Sequence, residues 1–156
     1  MLRLVLMPIV AGFIATGGMT AFLWSINRTG WTNADMVRAV GSLVTKSYDN
    51  ALRVGLIIHF VNGMIIAAAY LHLLSILYLT NLGFAIFGGG VIGLFQGFVV
   101  GWGIIRFAYR HPVEQFKEAD YQVALAHLVG HVIYGLLIGA IFGMMRLSGF
   151  DVSPGF

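Results

Sequence analysis

The chain lacks cysteine and contains little charge, and each shortage excludes a class of protein. Without cysteine among its 156 residues it forms no disulfide, no thiolate metal site and no cysteine nucleophile. Charged residues make up 10% of the chain against 59% hydrophobic residues, too little polar material to cover a water-soluble globule. The formal net charge is only +3, and no basic face is available to hold a nucleic acid.

What the chain has instead is four apolar runs, each long enough to cross a bilayer, which takes about 20 residues. They cover residues 4–26, 52–80, 82–107 and 123–145. Lipid offers no hydrogen bonds to the backbone, so spanning segments of this length are helices. The sequence therefore predicts one all-α domain over residues 1–156, an integral membrane four-helix bundle.

The basic residues predict an orientation for this bundle. Most of them flank the first and third connections, namely Arg28, Arg38, Lys46, Arg53, Arg106, Arg110 and Lys117. The positive-inside rule then places both long connections in the cytoplasm and both termini outside, in an inner membrane. The second connection, around Asn81, is so short that a tight antiparallel pair of the second and third spans is expected.

The long connections also carry helical patterns. Residues 33–48 place Met36, Val40 and Leu43 at helical spacing, which predicts a short amphipathic helix on the membrane surface. In the third connection, Pro112 and Glu114 suit the first turn of a helix that leads toward Tyr121.

An H-x-x-[NY]-G element occurs twice, from His59 to Gly63 and, 72 positions later, from His131 to Gly135. Because two spans make up each unit, the copies enter the membrane in the same sense. The sequence thus predicts two helical hairpins related by a parallel repeat.

Glycines recur every fourth residue on the third and fourth spans. Small residues at this spacing let helix backbones approach closely in lipid, so a packing role is expected. The two sets are Gly89, Gly93, Gly97 and Gly101, and Gly135, Gly139 and Gly143.

His59 and His131 lie at nearly the same depth when residues are counted from the start of each span, at about 1.5 Å per residue. Two imidazoles at one level on facing helices suit the axial ligands of one b-type haem. Arg53 and Arg106 lie toward the same membrane face and are candidates to pair with haem propionates.

Three other interpretations of the polar residues stay open. The histidines can instead bond to a carbonyl, to Asn62 or to Tyr134, and so fix helix register. Asp120, His127 and His131 share a helical face and are weaker candidates for a zinc or copper site. A transport site would use histidine with the polar residues Asn62 and Gln96.

The chain resembles small bacterial four-span membrane proteins of unknown function in three segments. These are Ala11-Gly12-Phe-Ile-Ala15-Thr16, His59-x-x-Asn62-Gly63 and Gly130-His131-x-x-Tyr134-Gly135-x-x-x-Gly139. The resemblance implies the fold and little about activity.

These features predict a non-catalytic membrane subunit of a larger complex, such as a respiratory or redox complex, with a histidine pair for one haem. Hydrolase, phosphate-loop and dinucleotide signatures are missing, although this leaves enzymatic activity undecided. The alternatives are a purely structural helical subunit and a small transporter or channel-like protein. The expected partners are lipid, other membrane subunits or further copies of the chain.

Overall fold

The structure is a computed structural model that describes residues 2–79 and 81–149. Four of its helices are long and apolar enough to cross a membrane, which confirms the prediction of an all-α multi-pass membrane protein. The predicted end of the second span, residue 80, lies outside the described residues. In chain order the α-helices are α1 (Leu2–Thr29), α2 (Met36–Thr45), α3 (Ala51–Ile76), α4 (Leu82–Phe107) and α5 (Tyr121–Leu147).

The spanning helices form two antiparallel pairs, α1 with α3 and α4 with α5, joined where α1 also contacts α5. In both pairs, glycines let the two helix backbones approach each other closely. A Cβ atom added to Gly12 would meet the carbonyl oxygen of Gly63 and the side chain of Ala67. One added to Gly89 would overlap the carbonyl oxygen of Gly135 and meet Gly139. These contacts use matching positions of the H-x-x-[NY]-G repeat, so the two pairs pack alike.

The glycines of α4 that recur every fourth residue are all buried, and they face α5. A Cβ atom at Gly97 would meet Leu128, and one at Gly101 would meet Ala124. On α5, a Cβ atom at Gly143 would meet Leu82 and Ala85 at the start of α4. The glycine faces therefore let two backbones approach along nearly their whole length.

The expected tight packing of the second span against the third is wrong. Although their connection is short, α3 and α4 contact each other at few points, and α4 packs mainly along α5. The physical reason is complementarity of surface. The flat glycine face of α4 matches the small residues of α5, whereas a short connection fixes only the ends of the helices that it joins.

The short helix α2 occupies part of the predicted segment 33–48. Asp35 caps its N-terminus by accepting a hydrogen bond from the backbone NH of Arg38 (3.1 Å). A Cβ atom on Gly41 would overlap the carbonyl oxygen of Ala51 and lie 2.7 Å from the backbone nitrogen of Gly55, so α2 is seated directly on the backbone of α3. Its apolar stripe faces a cavity within the protein, and only part of it, including Leu43 and Val44, is exposed.

Both long connections lie at the same end of the bundle. The Asn33 side-chain amide donates to the carbonyl of Gln115 (2.9 Å), and Nε2 of His111 donates to the carbonyl of Ala39 (3.0 Å). The predicted helix leading toward Tyr121 is wrong: the connection contains 3-10 turns at Ala108–Arg110 and Glu114–Phe116. Helix α5 begins later because Asp120 is its cap.

A buried histidine cluster as candidate functional site

Tyrosines join the two helix pairs next to the histidines. The Tyr134 hydroxyl donates to the carbonyl of Gly63 (2.6 Å), and the Tyr70 hydroxyl donates to Oε1 of Gln96 (2.6 Å). The rings of Tyr70 and Tyr134 pack edge to face with centroids 5.4 Å apart. Because Gly63 is the last residue of the first H-x-x-[NY]-G element and Tyr134 is the fourth residue of the second, this contact places the two elements at one level of the bundle.

His59 has a nitrogen atom without a partner. Its Nε2 is sealed by protein atoms and makes no hydrogen bond within the described residues, and the same holds for the hydroxyl of Thr16. Leaving a buried polar atom unpaired costs about 1–3 kcal/mol. A native site that retains such an atom is a candidate for a bound water, ion or cofactor.

His131 and His127 are both oriented by their own helix. Nδ1 of His131 bonds to the carbonyl of His127 (2.8 Å), and Nδ1 of His127 bonds to the carbonyl of Val123 (2.7 Å). A carbonyl only accepts, so each Nδ1 carries the proton and each neutral ring keeps a lone pair on Nε2. Metal-ligating histidines are commonly oriented in this way, by an NH bond to a backbone carbonyl.

His127 and His131 lie one turn apart on α5, and His59 lies four residues before Gly63, which bonds to Tyr134 of α5; we call these three residues the histidine cluster. Two cavities border this cluster, one lined by His59 and the other by His127, while His131 lines neither. The nitrogen donors therefore suit a haem iron, and the Tyr134–Gly63 hydrogen bond, within one turn of each histidine along its helix, joins α3 to α5 at this level. The predicted haem on this pair stays a prediction.

The predicted propionate partners lie elsewhere. Arg53 and Arg106 are exposed and line neither cavity. The cavity that contains His59, about 580 Å³ in volume, is lined instead by Arg38 of α2. A side-chain hydrogen bond from Arg38 to Asp35 (3.1 Å) raises the pKa of this arginine, so its guanidinium remains charged.

The remaining polar residues predicted for a metal or transport site have other positions or roles. Oδ1 of Asp120 accepts the backbone NH groups of Gln122 (2.9 Å) and Val123 (3.0 Å), which makes it a helix cap. Within residues 2–79 and 81–149 no three His, Asp or Glu residues are grouped to hold a metal ion. Asn62 is exposed and Gln96 is used by Tyr70, and neither lines the two cavities.

The sequence patterns do not predict three features of the site: the Tyr134–Gly63 hydrogen bond, the burial of Thr16 beside Gly63, and the contact of α2 with α3 through Gly41. Gly63, the glycine of the first element, is a usable signal for the first two, because a glycine leaves its backbone carbonyl open to a neighbour. No local signal indicated that Gly41 meets α3.

No protein family, curated protein or solved structure matches this chain. The resemblance to small bacterial four-span proteins therefore stays a prediction.

Proposed function

We propose that the protein is a non-catalytic structural subunit that assembles within the bilayer through the uncovered face of α3, first with a second copy of itself. One observation carries this proposal: a polar side chain, Asn62, is exposed at the middle of a membrane-spanning helix. In hydrocarbon an amide without a hydrogen-bond partner costs several kcal/mol. Asn62 makes no side-chain hydrogen bond within the described part of the chain.

Asn62 belongs to a continuous stripe that we call the α3 stripe: Asn62, Ile65, Ala69, His72 and Ile76. All five residues are exposed, and their alternating spacing of three and four is that of a coiled-coil seam. Toward the start of α3 the same spacing continues through Ile58 to Gly55 and Ala51, where α2 covers the face. Thus α2 covers the N-terminal part of this face of α3, at Ala51 and Gly55, and leaves the α3 stripe available to another helix.

A second copy is the partner that this stripe fits. The asparagine amide carries both a donor and an acceptor, so two Asn62 side chains can pair reciprocally across a twofold axis. Ala69, two turns further along, is small enough to let the two helices approach. Both copies then cross the membrane in the same direction, as a twofold axis along the membrane normal requires.

Cross-linking tests this assembly, and because the chain has no native cysteine, only an introduced cysteine can form the disulfide. Ala69→Cys in membranes is expected to give a disulfide-linked dimer, because the two Ala69 positions face each other. Adding Asn62→Leu should lower the dimer association constant about three- to thirtyfold, since an interhelical polar bond in lipid contributes about 0.6–2 kcal/mol. Asn62→Gln should retain the dimer.

Ile57→Cys is the matched control, because Ile57 is 66% exposed on another face of the same helix. It should remain monomeric under the same oxidation. Equal cross-linking at both positions, or a dimer indifferent to Asn62→Leu, would show that the α3 stripe is not the interface.

For the orientation, we propose that the end of the bundle bearing both long connections faces the cytoplasm of a cell with an inner membrane, with both termini outside. The basic residues of those connections support it. In intact spheroplasts, a membrane-impermeant maleimide should label Tyr78→Cys and should label Glu114→Cys only after lysis. Labelling in the reverse order would invert the topology.

A second candidate function is electron transfer through one b-type haem held by His59 and His131. The unpaired Nε2 of His59 favours it, together with the backbone bond that leaves Nε2 of His131 free. The haem would supply a one-electron redox couple, and His59 and His131 would hold its iron through their free nitrogens. An absorption spectrum of the purified protein tests this candidate.

A further inference from the structure

A cavity of about 480 Å³ lies between α2, α4, α5 and the connection that precedes α5. Its volume is within the range of small-molecule sites, about 300–1,000 Å³. The apolar stripe of α2 forms one wall and the last turns of α4 form another. The main apolar lining residues are Met36, Val40, Leu43, Val100, Ile104 and Phe116.

His127 supplies a polar group at the inner part of this cavity. Its side chain is 3% exposed, and it lies six positions after Tyr121, about 9 Å along α5 at about 1.5 Å per residue. Since Nδ1–H donates to the carbonyl of Val123, the free atom is Nε2, which can only accept a hydrogen bond. Nε2 has no hydrogen-bond partner among the residues that the structure describes. The complementary ligand group is therefore a hydroxyl, because a carbonyl has no proton to donate.

A second hydrogen-bond acceptor, the carboxylate of Glu118, lines the same cavity. Glu118 lies in the connection, lines the cavity, and makes no hydrogen bond or ion pair within the described residues. The lining also includes the aromatic rings of Phe107 and Phe116. A ligand that matches these two acceptors and the aromatic lining has a flat apolar body with two hydroxyl groups.

We propose that this cavity binds a lipid-soluble hydroquinone, with one ring hydroxyl donating to Nε2 of His127 and the other directed toward Glu118. The ring packs against the phenylalanines, and the apolar tail continues along the α2 stripe. The site uses neither His59 and His131 nor the α3 stripe, so it can fail or succeed independently of both proposed functions.

Binding of decylhydroquinone to the full chain in lipid nanodiscs tests the proposal, with its dimethyl ether as the matched probe. The ether keeps the ring and the tail but has no hydroxyl proton. We expect it to bind at least about tenfold more weakly, because it leaves Nε2 of His127 unpaired. Decanol, which carries a lipid hydroxyl without a ring, should also bind at least about tenfold more weakly.

Two variants locate the site. His127→Phe should reduce hydroquinone affinity to that of the ether, and Leu125→Phe, which places the same side chain at an exposed position of α5 outside the cavity, should leave it unchanged. Gly103→Leu keeps His127 but fills the cavity, since a Cβ atom at Gly103 finds nothing within 4 Å; it should abolish binding of every probe. Equal affinity for the ether would show that the cavity binds apolar molecules without using the hydroxyl groups. Equal affinity for decanol would show that it binds lipid hydroxyls in general. Unchanged affinity in both cavity variants would show that the ligand binds elsewhere. Each of these results overturns the proposal.

Discussion

Gly93→Leu is expected to separate α4 from α5 and to cost about 3 kcal/mol of stability, the upper end of the usual cost of overpacking. A Cβ atom at Gly93 would overlap the carbonyl oxygen of His131 and lie 3.1 Å from Cα of Val132. These are backbone atoms, which cannot turn aside as a flexible side chain can. The loss should appear as a lower unfolding midpoint in detergent, followed by tryptophan fluorescence.

Gly103→Leu is the matched control on the same helix. Its Cβ atom meets nothing within 4 Å, so the substitution should keep or raise stability, because leucine has the higher helix propensity by about 0.8 kcal/mol. The two substitutions thus differ in the sign of their effect. If both changed the midpoint equally, close contact of the α4 and α5 backbones would not stabilise the fold.

For the haem candidate, the expected result is a reducible Soret band that disappears completely in His59→Ala and in His131→Ala. Each variant would remove one of the two histidine nitrogens that would hold the iron. The measurement is an absorption spectrum of the purified protein, oxidised and then reduced with dithionite.

His72→Ala is the control for this spectrum, because His72 is exposed near the other end of α3 and should leave the band unchanged. A protein that remains colourless after expression with added haem would remove the electron-transfer function. In that case His59→Leu should be neutral or stabilising, since it deletes a buried nitrogen that has no partner.

The repeat predicts the depth of the two histidines but not the space between them. Counting residues placed His59 and His131 at one depth, and the Tyr134–Gly63 contact is consistent with that level. The count could not show whether the space between the rings is open, because that depends on Tyr134 reaching a carbonyl 71 residues away. For the same reason Arg53 and Arg106 were assigned to the site by depth alone, whereas Arg38 reaches the His59 cavity from α2.

The sequence alone determined the four spans, the helical state of each and the close-packing glycine faces, because hydrophobic length and helical period are local properties of the chain. The tertiary structure decided which faces meet. It paired α4 with α5 rather than with α3, and it seated α2 on Gly55 so that Asn62 is left uncovered. It also enclosed His127 beside an apolar cavity. These outcomes depend on complementarity between surfaces far apart in the chain, which no local pattern records.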